Sequence, residues 1–130
     1  MRDSLPAPTV EAMFQERLDL LEEAHQITPL ARRLTEFMVA ELAVQFELEL
    51  DEESGALMVT HLAMALTRLN RGEVAAPVSE SLERELAGRV DERDAVARLM
   101  QEASEVLGRE VPETEILYMT LHLTSLVLKR

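Results

Sequence analysis

Two histidines lie in apolar segments that are far apart in the chain, and their side chains are the ones best suited to chemistry. His61 lies in the segment 59–69 and His122 in the segment 113–123. A neutral imidazole is a nucleophile, a metal ligand and a pH-sensitive base, although a single histidine on an apolar helix is more often structural. Whether each histidine is reactive or structural is therefore judged from the residues that share its helical face, at 3.6 residues per turn.

Each histidine shares a helical face with groups that can orient it or bind an anion beside it. Arg68 follows His61 by seven residues, which corresponds to two helical turns. Glu115, Tyr118 and His122 are spaced i, i+3 and i+7 on the second segment. We therefore interpret the histidines as candidate reactive residues and the other three residues as their supports.

The composition indicates one helical domain. The chain has 130 residues, a usual size for a single domain, and 47% of them are hydrophobic whereas only 3% are aromatic. A core built from Leu, Val, Ala and Met suits helix-on-helix packing. We predict an all-α, compact bundle of about five to six helices over residues 1–130, with residues 1–8 as a loose N-terminal arm.

Helix start and stop signals locate these elements. The residues predicted to begin helices are Thr9, Thr28 with Pro29, Asp51 with Ser54, Ser79 or Ser81, Asp91, and Pro112. Gly72 and Gly108 are predicted to follow helix ends. Because each histidine borders the aliphatic face that its helix buries, we expect the two helices to be neighbours and both imidazoles to lie in one shallow, partly exposed site.

The charge of the chain excludes several classes of function. It has 25 acidic and 13 basic residues, a net charge of −12, and Lys129 is its one lysine. Nucleic acids and anionic membrane surfaces both require clustered basic residues, so we predict no direct contact with either. The N-terminus lacks the apolar core of a signal peptide, and no apolar run approaches the ~20 residues of a membrane span. We therefore expect a cytoplasmic location.

The two histidine segments match a pair of family motifs. Residues 61–72 read His-Leu-Ala-Met-Ala-Leu-Thr-Arg-Leu-Asn-Arg-Gly, close to the pattern His-(Leu/Ile)-x-x-Ala-(Leu/Ile)-x-Arg-Leu followed by a small turn. Residues 115–123 read Glu-Ile-Leu-Tyr-Met-Thr-Leu-His-Leu, close to Glu-x-x-(Tyr/Phe)-(Ile/Leu/Met)-x-x-His-(Ile/Leu). With this order and a helix-sized gap between the motifs, residues 10–130 resemble the PRD, the phosphotransferase-system regulation domain of bacterial regulators.

The resemblance implies a regulator that needs no cofactor, and not an enzyme. Histidines of PRDs are reversibly phosphorylated by phosphocarriers of the sugar-uptake system, either HPr or a sugar-specific IIB component. It thus implies that His61 and His122 accept phosphoryl groups, with Arg68 as the counter-charge. The chain would be a free-standing, single-domain PRD of the transcription-regulator type. It would sense sugar-uptake status and act through a partner protein, for example another regulator.

One position departs from the family pattern. Many PRDs carry an Asp immediately before the first histidine, whereas this chain carries Thr60. The substitution removes a group that could orient the imidazole of His61. We therefore expect His122 to be the better acceptor, also because Tyr118, one helical turn away, can donate a hydrogen bond to a phosphoryl oxygen.

Two other classes of function remain open. One is a non-phosphorylated, dimeric helical adaptor, and the other is a small helical protein in which His61, His122 and Glu115 bind zinc. The zinc alternative lacks an HExxH or a paired ExxH signature. For the regulator and the adaptor we expect a symmetric homodimer. The residues predicted to form its interface are Ala63, Leu66, Leu69, Leu121, Thr124 and Val127.

Overall fold

The computed structural model describes residues 9–73, 77 and 79–130, and these residues form an all-α fold. Seven helices occur in this part of the chain: α1 (Val10–Met13), α2 (Gln15–Glu23), α3 (Pro29–Gln45), α4 (Glu52–Asn70), α5 (Glu80–Glu85), α6 (Val90–Leu107) and α7 (Glu113–Lys129). The predicted all-α bundle is confirmed. The predicted N-terminal arm, residues 1–8, lies outside the described residues.

The helix count exceeds the expected five to six because the first predicted helix is divided at Phe14. The backbone of Phe14 leaves the helical conformation, with φ −109° and ψ 13°, between α1 and α2. Its ring is fully buried and packs against α4 at Gly55, where an added Cβ would lie 2.6 Å from Phe14 Cζ. The break in the helix therefore lets an aromatic ring enter the core.

Most helices begin at the predicted capping residues. The side-chain oxygens of Thr9, Thr28 and Ser79 each accept a hydrogen bond from the backbone N–H three residues further on, at 3.0, 3.2 and 3.2 Å. Asp51 and Ser54 form a reciprocal capping box at the start of α4. Such caps satisfy backbone donors that have no partner inside the helix.

The prediction that Asp91 caps a helix is wrong. Arg89 occupies the N-cap position of α6 and makes no side-chain capping bond, and Asp91 lies in the first turn. A carboxylate in the first turn still favours a helix because it complements the positive end of the helix dipole. Gly108 ends α6 with φ 69°, and Gly72 follows α4 with φ 75°, as predicted.

The central helix is α4, which packs against α3 on one side and α7 on the other, while α6 packs against α7 and α3. The largest fully buried side chains of these four helices are Met38, Leu42, Met58, Leu62, Leu66, Leu99, Met100, Leu117, Met119 and Leu123. A smaller cluster of Leu82, Leu86 and Leu117, with Leu121 against it, attaches α5 to α7. In the described parts of the chain, no helix combines the length and the hydrophobicity that crossing a membrane would require.

The residues predicted for a dimer interface lie mostly inside the single chain. Ala63 and Leu66 are fully buried, and Leu69 is 6% exposed. Thr124 is also buried, and only Leu121 and Val127 are half-buried. The interface predicted from these residues is therefore wrong for α4, because this helix is covered on both sides by its neighbours.

Candidate functional site

The helices α4 and α7 bring the two histidines together. The ring centroids of His61 and His122 lie 4.9 Å apart, with the ring planes inclined at 42°. The two helices run antiparallel, because Arg68, two turns beyond His61, contacts Glu115, two turns before His122. Both imidazoles are half-buried, and 25% of the His61 side chain is exposed. The expected shared, partly exposed site is therefore present.

A buried carboxylate links the arginine to the first histidine. The side chain of Glu115 is 7% exposed, and its Oε2 accepts a hydrogen bond from Arg68 Nη2 at 3.0 Å. Its Oε1 lies 3.3 Å from His61 Nε2, an ion-pair distance at which the two atoms are not aligned as a hydrogen bond. A buried carboxylate is costly unless it is paired, so Arg68 and His61 together stabilise this charge between the helices.

The protonation states of the site follow from burial and from neighbouring charges. Burial alone would raise the pKa of Glu115, but the adjacent His61 and Arg68 outweigh it and hold the pKa below its ordinary value of 4.5. Burial and the proximity of His61 both lower the pKa of His122 from its ordinary value of 6.5. At neutral pH the site therefore contains a carboxylate and a neutral, nucleophilic His122.

Tyr118 lies at the outer edge of the site. Its ring centroid is 5.8 Å from that of His61, at an inclination of 49°, and 38% of the residue is exposed. The sequence spacing placed Tyr118 beside His122 on the same helix, and the structure brings it near the histidine of the facing helix as well. The five predicted site residues therefore lie in one continuous group.

The side chain of Arg68 does not pair with the acidic residue that is nearest to it in the sequence. Glu73, just beyond the turn that ends α4, is exposed, and the side chain of Arg68 binds Glu115 instead. The side chain of Arg68 remains 42% exposed. Its guanidinium therefore reaches from solvent to the buried carboxylate.

Sequence reasoning missed Arg17, which contacts the residue before His61. Arg17 Nη1 donates a hydrogen bond to Thr60 Oγ1 at 3.2 Å, and Arg17 Nε donates one to Glu52 Oε1 at 2.6 Å. These contacts attach α2 to α4 beside the site. Because Arg17 and Thr60 are 43 residues apart, no helical spacing could have revealed the contact.

The arrangement does not support the zinc alternative. Among the described residues, no group of three His, Cys, Asp or Glu side chains could hold a metal ion. One oxygen of Glu115 already accepts a hydrogen bond from Arg68. Five open grooves on the described surface are all lined by residues other than the histidines. The two imidazoles border none of these five grooves and lie half-buried at the contact of α4 and α7.

A known domain family matches the part of the chain that contains this helix pair. The model of the PRD domain family matches residues 32–126, a range that contains both histidines, Arg68 and Glu115. The chain belongs to the PRD family. PRDs are regulatory modules controlled through phosphorylation by the sugar phosphotransferase system, and they interact in general with its phosphocarriers. No curated protein and no solved structure matches this PRD significantly. Its α1 and α2, with Arg17, precede the matched range.

Proposed function

We propose that this PRD senses the phosphorylation state of a sugar phosphotransferase system through reversible phosphorylation of His122 and, as the weaker acceptor, His61. The output passes through a partner protein, for example a transcription regulator. The observation that carries the proposal is the pair of half-buried imidazoles on facing helices, next to the buried ion pair of Arg68 and Glu115.

Phosphoryl transfer to His122 needs only groups that the site and the donor supply. A nitrogen of the neutral His122 ring attacks the phosphorus of a phosphohistidine on HPr or a IIB component. The donor N–P bond breaks as the new N–P bond forms. The proton of His122 leaves its ring, and the donor imidazole takes up a proton. Because the pKa of His122 is lowered, its neutral form predominates at neutral pH.

The position of Glu115 favours His122 over His61 as the acceptor. The carboxylate lies 3.3 Å from His61 Nε2, so its negative charge opposes a phosphoryl group arriving at that nitrogen. Thr60, which replaces the Asp that many PRDs carry before the first histidine, gives the same order of acceptors for a separate reason, the loss of a group that could orient the imidazole.

A phosphoryl group at this site competes with Glu115 for Arg68. It brings roughly two negative charges, and a guanidinium is its natural counter-charge. If Arg68 turns towards the phosphoryl group, Glu115 loses its hydrogen-bond donor. Its side chain is only 7% exposed, so water cannot readily replace that donor. Breaking a fully buried ion pair costs about 3–5 kcal/mol, and the partial exposure of Arg68 places this pair below that range. The cost is sufficient to favour a different packing of α4 against α7, which a partner can detect.

We also propose that this PRD is a homodimer, through a surface other than the one predicted from the sequence. The best-exposed apolar side chain near the histidines is Leu57, which is 76% exposed and lies one turn before His61 on α4. Tyr118 flanks the histidines on the other helix. A contact between copies at this face would couple the state of the site to assembly.

Labelling with purified phosphocarriers tests the proposed function. Wild-type protein should acquire acid-labile phosphate, and His122→Ala should lose more of it than His61→Ala. A matched control is His25→Asn, because His25 is exposed, lies between α2 and α3 and has φ 58°, a conformation that Asn tolerates. The control should label like the wild type. Wild-type protein that stays unlabelled by HPr and IIB components would reject phosphorylation and leave the adaptor alternative.

A further inference from the structure

We propose that the site holds a single phosphoryl group, for which His61 and His122 are alternative and mutually exclusive acceptors. The inference rests on the proposed function, because it concerns the same two imidazoles. It goes further because the two histidines, which are never phosphorylated together, cannot report two separate phosphorylation signals.

The distance between the rings is the first observation. With centroids 4.9 Å apart, the two imidazoles are in contact across the helix pair, and each borders the space in which a phosphoryl group on the other would lie. Two phosphoryl groups would bring roughly four negative charges into this space. Half-burial of both rings limits the screening of that repulsion by water.

The balance of charge at the site is the second observation. From α4 the site receives Arg68 and His61, and from α7 it receives Glu115 and His122, with Tyr118 at the edge. In the described contacts Arg68 is the one permanent cation among them, and it already pairs with Glu115. One guanidinium can therefore compensate one phosphoryl group, whereas a second would face both the first and the carboxylate.

A second guanidinium beside the site already has another partner. Arg17 contacts Thr60, immediately before His61, but its side chain forms an ion pair with Glu52. The net charge of the chain is −12, so its overall charge does not compensate a second phosphoryl group. As a consequence, two phosphocarriers acting on this PRD would compete for one site, and their effects would not add.

The stoichiometry of chemical phosphorylation tests the inference. Phosphoramidate transfers its phosphoryl group to a histidine nitrogen as its own P–N bond breaks and ammonia leaves, so no phosphocarrier is needed. The His25→Asn protein serves as the parent, since it leaves His61 and His122 as the available histidines. Intact-mass spectrometry at neutral pH then counts the phosphoryl groups on the parent and on His61→Ala and His122→Ala variants, whose helical content is checked by circular dichroism.

With excess phosphoramidate and long incubation, the parent should stop at one phosphoryl group, and each single-histidine variant should also accept one. Two groups on the parent would overturn the inference, as would a variant or a parent that accepts none. The outcome is separable from that of the proposed function. Failure of HPr and IIB components to label the wild type would refute the physiological role and leave the chemical stoichiometry unchanged.

Discussion

The residue that organises the site is Glu115, a carboxylate whose two oxygens approach different partners. One oxygen accepts a hydrogen bond from Arg68, and the other faces His61 Nε2. In the proposed phosphorylation, the same arginine is the counter-charge of the phosphoryl group. The state of the site therefore depends on which anion the guanidinium binds, and that competition can be measured at single residues.

Replacing Arg68 by Lys should shorten the lifetime of the phosphohistidine. A guanidinium can donate to two acceptors in a fixed fork, whereas an ammonium is a point charge. One hydrogen bond to a charged group contributes about 1.5–3 kcal/mol, so we expect phosphoryl retention to fall by roughly tenfold or more. The decay of acid-labile phosphate after removal of the phosphocarriers measures this. Arg33→Lys, at an exposed position on α3, should decay like the wild type, and equal decay for both variants would contradict the role of Arg68.

The lowered pKa of His122 predicts a loss of stability in mild acid. Below the ordinary value of 6.5 the unfolded chain binds a proton at this residue more readily than the folded chain does, so the free energy of unfolding falls until the lower folded pKa is passed. Each unit of pKa depression contributes about 1.4 kcal/mol. Urea unfolding of wild type and His122→Gln, compared between about pH 7 and pH 5, should show a shallower fall in the variant. An identical fall in both proteins would contradict the assignment.

At the scale of the elements, α4 organises the molecule because three neighbours meet it on different faces. It contacts α3 and α7 along its length, and it receives Phe14 from the junction of α1 and α2. Gly55 permits the last contact because it has no Cβ. The attachment of α1 and α2 to the helix that carries His61 therefore includes the close packing at Gly55 and the contacts of Arg17 with Thr60 and Glu52.

Replacing Gly55 by Ala should destabilise the protein. The new Cβ would lie 2.6 Å from Cζ of the buried Phe14, and overpacking of a core costs about 1–3 kcal/mol. The gain in helix propensity, about 1 kcal/mol, offsets no more than the lower end of that range. The matched control is Gly88→Ala, since no atom lies within 4 Å of a Cβ at that position. Urea midpoints should fall for Gly55→Ala and stay near the wild type for the control; equal midpoints would mean that Phe14 moves aside freely.

At the scale of the whole molecule, the proposed output requires a surface that changes when the site changes. Buried apolar side chains from α3, α4, α6 and α7 form one close-packed core. A shift of α7 against α4 would therefore displace side chains of the other two helices as well. The exposed apolar side chains beside the histidines are the ones placed to transmit the shift to another molecule.

Replacing Leu57 by Glu should dissociate the proposed homodimer. Sedimentation at micromolar concentration should give the wild type twice the chain mass of 14.7 kDa, and the variant a monomer with unchanged helical content. Val106→Glu is the control, because Val106 is 56% exposed on α6, a helix that carries none of the five site residues. A wild type that sediments only as a monomer would remove the homodimer, and a variant that stays dimeric would remove this interface.

The sequence by itself determined the features that depend on neighbours within one or two helical turns. Thr9, Thr28 and Asp51 were predicted to begin helices because a capping side chain reaches a backbone N–H only three residues away. The two histidine motifs predicted the family and the shared site for a similar reason. Helical spacing places side chains on a common face regardless of what that face contacts.

Only the tertiary structure decided which residues of different helices meet. Arg68 pairs with Glu115 across 47 positions and Arg17 with Thr60 across 43, and both contacts depend on the rotation and crossing of packed helices. The same dependence explains why Ala63 was wrongly expected at a dimer interface. An apolar face can be covered by another helix of the chain or by another molecule, and its amino acids are the same in either case.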